Sequence, residues 1–314
     1  MLRHVVLAAS VGALLLAGPV GTAEAHARQA SRNRPNEITG QSIDTTFRMD
    51  KGGVVDLEAM FGEIIVTGTT GSNVRLRATA QSGRVRLRAS ATLATVRASW
   101  ERGGPENVRY EVSVPPGIRV LMHTTSGRLS ATGVKGDVEM ENISGDIELT
   151  DIAGLVSVET VSGRITAAGL AGGAQLETTS GDVTVTGAAG EIAIDNTSGT
   201  TILTDVRSSA VQVESVSGNV RFDGPIDPSG RYEFSSHSGN IRLTLPPNTG
   251  ALLTLSTYTG SIDSDFPITL QRGSSGDKER ELQFRLGSGS ARLTAESFSG
   301  NIIITRGPAR DRQE

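Results

Sequence analysis

The dipeptide Ser-Gly returns at Ser126, Ser144, Ser162, Ser180 and Ser198, eighteen residues apart each time. It continues at Ser217 and Ser238, then as Thr259-Gly260 and Ser299-Gly300. A fixed period this short leaves few folds open. Each unit divides into two nines, Gly136 to Ser144 and Gly145 to Ala153 in one example. Both nines place apolar residues third, fifth and eighth. The third and fifth positions alternate with polar ones, which is a strand with one buried face. Glycine first, with polar residues sixth and seventh, makes a turn every nine residues. Nine residues cannot hold a helical crossover. The pattern predicts an all-β chain, a parallel β-solenoid with about 18-residue coils of two short strands, stacked at ~4.8 Å and capped by irregular strand-rich ends. A sandwich needs no strict period, and a propeller blade needs about 40 residues.

The ends of the chain read differently. Met1 to His4 is a short basic start, Val5 to Val20 is mostly apolar, and Ala23-Glu24-Ala25 has the small-x-small form of a cleavage site. Gly18-Pro19 breaks the apolar run before it reaches the ~20 residues of a membrane span. Residues 1–25 are therefore expected to be a signal peptide and 26–42 a flexible linker. Residues 43–306 form one solenoid domain, with an N-terminal cap at 43–115, regular repeats at 116–260 and a C-terminal cap at 261–306. Residues 307–314 are expected to be a disordered tail, and Ser274 to Lys278 an exposed loop tip. No later run is apolar enough for a transmembrane segment, so the expected location is periplasmic, extracellular or at the cell surface. With no Cys in the chain, disulfides and thiolate sites are excluded. The formal charge of −4 argues against a nucleic-acid partner held by bulk positive charge.

The Ser-Gly-Asp/Asn-Ile/Val repeats, Val114-Pro115-Pro116-Gly117 and the closing Ser299-Gly300-Asn301-Ile302-Ile303-Ile304 resemble the bacterial DUF4097 family, whose members are also labelled candidate adhesins. The resemblance covers roughly residues 50 to 306. It implies an exported or envelope β-solenoid with no established enzymatic role, and it supplies no catalytic residues.

One coil apart means directly above in a solenoid, so the repeat becomes columns. The sixth position carries His123, Glu141, Glu159, Glu177, Asp195 and Glu214. Glu141, Glu159, Glu177, Asp195 and Glu214 form a carboxylate row that reads either as a cation-attracting stripe, with weak surface Ca²⁺ binding, or as a solvated face. A calcium-roll pattern is absent, because the regular Asp of its nonapeptide is missing. The second position alternates Arg128, Asp146, Arg164 and Asp182, a cross-strand ion ladder that would fix register. The seventh (Thr124, Asn142, Thr160, Thr178, Asn196, Ser215, Ser236) and ninth positions read as hydroxyl and amide ladders bonding each other and the turn backbone, which the periodicity favours, or as a sugar-binding surface. Arg84, Arg86 and Arg88, with Arg75, Arg77 and Arg97, concentrate positive charge in the N-terminal cap and read as a basic patch for an anionic partner, or as an ordinary strand face. Between residues 134 and 215 there are thirteen acids against three bases, Lys135, Arg164 and Arg207.

Catalytic signatures are missing. His123 and His237 each stand alone in the repeat, and there is no His-Glu-x-x-His, Gly-x-Ser-x-Gly or Gly-Lys-Ser/Thr. No cofactor is implied. The leading expectation is a non-catalytic exported solenoid that binds a polysaccharide or protein of the envelope or exterior, or supports it structurally. The alternatives are a carbohydrate-active β-helix enzyme using surface carboxylates and a solenoid that self-associates end to end. Aromatic residues beside carboxylates on one face would favour the enzyme.

Overall fold

The computed structural model describes residues 36–90, 95–100, 107–267 and 280–308. The leader, residues 26–35 of the linker, the loop tip at Ser274 to Lys278 and residues 309–314 lie outside the described residues. Every regular element among them is a strand, twenty-five in all.

In the regular body each coil has a longer strand and a shorter one. Val138–Ser144, Val156–Ser162, Ala174–Ser180 and Ile192–Ser198 are the longer strands. Ile147–Ile152, Ile165–Leu170, Val183–Thr186 and Thr201–Thr204 are the shorter ones. All pair in parallel, with Val156 between Val138 and Ala174 and Ile165 between Ile147 and Val183. The register is thus one coil of eighteen residues. Third- and fifth-position side chains (Val138, Met140, Ile147, Leu149, Val158) point into a core between the two stacks of strands. The eighth positions divide. Ile152 and Leu170 of the shorter strands and Val206 just beyond another are buried, whereas Ile143 and Val161 of the longer ones are 54% and 50% exposed.

The recurring motif has a stereochemical cause. Gly163 sits at φ +146°, and a Cβ there would run into the carbonyl oxygen of Gly145 one coil below. The glycine column is therefore demanded by close backbone stacking as well as by the turn. The Asp or Asn that follows accepts the backbone N–H of the next coil. Asp182 takes that of Thr200 at 2.9 Å, Asn240 that of Asn301 at 2.9 Å, and Asp146 that of Arg164 at 3.4 Å. This corrects the expected alternating ion ladder. Arg128 and Asp146 do approach to 3.8 Å, but the acids mainly carry the backbone ladder through the turn. In the seventh column Asn142 donates to the carbonyls of Gly127 and Gly145 and Ser236 to that of Gly218, but the buried hydroxyls of Thr124, Thr160, Thr178 and Ser215 have no hydrogen-bond partner, so the expected backbone-bonding ladder is only partial.

The two ends depart from sequence order. Val54–Gly68 is a complete coil lying parallel to Arg119–Thr132. On its other side it pairs with Thr95–Trp100 and Val108–Val114. Two antiparallel ribbons extend from there: Val85–Ser90 joins Thr95–Trp100 to Asn36–Gly40, and Asn73–Ala80 joins Val108–Val114 to Ser42–Arg48. Residues 36–40, expected in the linker, are thus an edge strand. At the far end Ala291–Ser299 and Ile302–Arg306 form a coil inserted between Arg231–Leu245 and Ala251–Ser264. Only Arg280–Leu286 lies antiparallel, on Ala251–Thr257. The expected C-terminal cap is therefore mostly stack. Gly307, expected in the tail, donates its N–H to Leu245 at 2.8 Å. The core near this end is thickened by Phe222, which meets Tyr232 edge-on at 5.9 Å and Phe234 at 5.4 Å.

Candidate functional site

The sixth and eighth positions of the longer strands both face outward, and the seventh turns inward between them. Repeated in register, this geometry makes a shallow groove along the solenoid axis with a different column on each wall.

One wall is the carboxylate row. Glu141, Glu159, Glu177, Asp195 and Glu214 are successive register partners. The row reaches further than its repeat suggested. Glu58 pairs with His123, and beyond Glu214 come Ser235 and Glu296. His123 Nδ1 lies 3.0 Å from Glu141 Oε2. Gln175 donates to Glu177 at 2.7 Å and Gln212 to Glu214 at 2.9 Å. Among the described residues no Lys or Arg pairs with Glu159, Glu177, Asp195, Glu214 or Glu296. Burial pushes the Asp195 carboxyl above its ordinary value, and the charges of Glu214 and Glu177 add to the effect. Among the described residues, no three acids or histidines converge as a metal cage. The row is a ladder, with each carboxylate about one strand spacing (~4.8 Å) from the next.

The other wall is partly apolar, with Thr125, Thr179 and Thr197 standing in the same column as its hydrophobic side chains. Of the large hydrophobic side chains that remain exposed, Ile143, Val161, Val216, Phe298 and Tyr258 all belong to the eighth column. At its C-terminal end three rings stack. His237 and Phe298 lie 4.8 Å apart at 8°, and Phe298 and Tyr258 4.9 Å apart at 6°. The C-terminal part of the groove, from Glu159 to Phe298, encloses about 530 Å³. It continues toward Glu58 as a shallower trough beside His123 and Ile143. The sequence reading missed the stack. Its signal was present, because His237, Phe298 and Tyr258 each stand immediately before a Ser-Gly or Thr-Gly.

The basic patch is neutralised within its own ribbons. Arg86 and Arg88 approach Glu37 at 3.1 and 3.5 Å across an antiparallel pair. Arg75 and Arg77 share Asp44 at 2.9 and 3.1 Å, and these two guanidiniums hold its carboxyl down at about 2. Arg97 meets Asp56 at 2.6 Å, and Arg109 meets Glu63 and Glu111. Arg84 is exposed just ahead of its strand. The expected basic cap therefore presents little uncompensated charge.

A family model described as Toastrack DUF4097 matches residues 20–305. No curated protein matches the chain. Two crystal structures are similar to it. One is a candidate cell adhesion protein from Clostridium sporogenes, 11% identical, with a TM-score of 0.22 over 87% of this chain and 100% of that one. The other is a candidate adhesin from Bacteroides fragilis, 10% identical, with a TM-score of 0.36 over 84% and 96%. Likeness this remote carries no argument about function or partner.

Proposed function

The chain belongs to the Toastrack DUF4097 family, and from that premise we propose that it is an exported, non-catalytic β-solenoid that binds an envelope or extracellular partner along its axial groove. The observation that carries this reading is the set of exposed apolar side chains in the eighth column lying against the carboxylate row from Glu141 to Glu214. Exposed apolar surface rimmed by polar groups marks interaction surfaces, and no packing requirement explains it here. The repeat supports binding rather than chemistry, because successive coils from Glu141 to Glu214 place a carboxylate at the same position without a distinct acid–base pair. A glycosidase needs two carboxyl groups whose environments differ. The basic leader, apolar run and small-x-small site support export. The carboxylate row, Glu141 to Glu214, also supports weak Ca²⁺ association from solution. The test is retention of labelled glycans and envelope components by the immobilised protein. Saturable retention that is lost on reversing the groove charge is expected, and equal retention by the charge-reversed protein would reject the groove.

One observation favours a second reading, a carbohydrate-active enzyme. The ring stack of His237, Phe298 and Tyr258 stands beside Glu296. Release of new reducing ends from a polysaccharide panel, abolished in Glu296→Gln, would establish it.

A further inference from the structure

Among the described residues four strands pair on one side only, Asn36–Gly40, Ser42–Arg48, Ile262–Ser264 and Arg280–Leu286. Such edges carry unpaired N–H and C=O groups, and proteins blunt them with short strands, proline or charges. Three of the four are blunted. Ile262–Ser264 has three residues, and Asn36–Gly40 has five and directly follows Pro35. Ser42–Arg48 commits its Asp44 to Arg75 and Arg77. Arg280–Leu286 is different. It is seven residues long and contains no proline. Leu282, Phe284 and Leu286 turn toward the core, with Phe284 and Leu286 buried and Leu282 only partly so. Glu281, Gln283 and Arg285 are exposed. On the side already paired, Glu281 stands opposite Ser256 and Arg285 opposite Leu252, so neither meets an opposite charge there.

We propose that this edge takes a second copy of the chain, Arg280–Leu286 pairing antiparallel with itself about a two-fold axis at Gln283. The strand is chemically self-complementary about that residue. Laid antiparallel on its own copy, Glu281 faces Arg285 twice, Leu282 faces Phe284 twice, and Gln283 faces itself. Outward residues meet outward ones and core-facing residues meet core-facing ones, so the register keeps one apolar face. Opposite charges and apolar pairs set directly across an antiparallel ladder are both favourable. A two-fold contact needs this kind of self-complementary patch, and it closes at two copies. Ser42–Arg48 lacks the property, because pairing about Thr45 sets Asp44 against Thr46 and brings no opposite charges together. A head-to-tail contact with Asn36–Gly40 would offer Arg285 only Glu37, which Arg86 and Arg88 already neutralise.

The experiment is sedimentation velocity of the purified protein across the micromolar to millimolar range, which should show monomer and dimer and nothing larger. Glu281→Arg sets like charges across both symmetric contacts and should raise the dimer dissociation constant about tenfold or more. Arg285→Glu should do the same. Glu281→Arg/Arg285→Glu restores opposite charges and should bring the constant back to within about threefold of the parent. All these changes fall on exposed positions, and a melting curve confirms the fold of each variant. Gln283→Cys gives the chain its only thiol and places it on the two-fold axis. Paired Cα atoms there lie ~4.5–5.5 Å apart, within reach of a disulfide. Mild oxidation should therefore yield a covalent dimer, whereas Gln212→Cys, exposed on the body, should yield none. A parent protein that stays monomeric throughout would overturn the proposal. Filaments that lengthen with concentration would mean a head-to-tail contact and overturn it as well. So would a dimer that ignores the charge reversals, that the double reversal fails to restore, or that does not cross-link through position 283.

Discussion

The parallel body and the N-terminal ribbons handle charge in opposite ways. In the body each residue sits over its own equivalent, so Glu159 lies between Glu141 and Glu177. In the ribbons the antiparallel register sets Asp44 opposite Arg77 and Glu37 opposite Arg88. The ribbons, rich in both Arg and acids, therefore present a largely self-neutralised surface, while the body, with thirteen acids against three bases between residues 134 and 215, keeps an uncompensated row. Like charges at ladder distance are unfavourable, typically by a few tenths of a kcal/mol. A repeat that keeps them has a surface available to a counter-charged partner, whereas the ribbons have already satisfied theirs.

The strongest test of the contrast is one substitution made in both regions. Ile147 is 1% exposed in the body and Ile38 is 42% exposed on a ribbon edge. Ile147→Asp buries an unpaired charge and should cost several kcal/mol, enough to unfold the stack in a thermal melt. Ile38→Asp should stay within ~0.5 kcal/mol of the parent. Comparable losses at the two sites would mean that the ribbon edge is as tightly packed as the body.

Gly163→Ala comes next. Its positive φ and the Gly145 carbonyl oppose any side chain, so a loss of about 1–3 kcal/mol is expected. Gly71, with only a distant threonine hydroxyl near it, should tolerate Ala with little change. Guanidinium unfolding of the two variants separates them.

Acid should then act on the regions in opposite directions. Asp44 is held at about 2 in the folded protein against an ordinary 3.8, so its contribution is complete above 3.8 and fades as pH falls toward 2. Amide exchange in Asn73–Ala80 should quicken across that window, and less so in Asp44→Asn. Asp195 is shifted upward, so ionising it costs more in the folded protein than in the unfolded chain. Asp195→Asn should therefore raise the neutral-pH melting temperature, and the gain should vanish once pH falls below the ordinary 3.8. A stabilisation that persists there would have a source other than charge.

The smallest effect expected is that of Ca²⁺. With no converging cage, millimolar ion should raise the melting point only slightly, consistent with a dissociation constant of ~10⁻⁴–10⁻³ M. Glu159→Gln/Glu177→Gln should reduce the rise. An undiminished rise in the double variant would place the ion elsewhere.

Much of this was legible in the sequence. Val138, Ile147 and Val156 could be assigned to the core because a two-residue alternation within a nine-residue frame admits one inward set. The carboxylate row followed from the same period. The exposed wall was less legible, because Ile143 and Ile152 occupy the same position of successive nines and look alike. Backbone geometry separates them. At Asp151 the chain turns through a left-handed residue, φ 56°, and tucks Ile152 beneath the corner, while the chain around Ile143 remains extended and faces it outward.

The sequence by itself determined the coil length, the inward set, the glycine column and the like-on-like stacking of acids, because all of these follow from a local period. Only the tertiary structure decided which coil lies on which. Local periodicity cannot report that Ala291–Arg306 inserts between Arg231–Leu245 and Ala251–Ser264, since any coil of matching register could stack on any other. That insertion puts Phe298 between His237 and Tyr258 and turns three separate aromatic residues into one face-to-face stack beside Glu296.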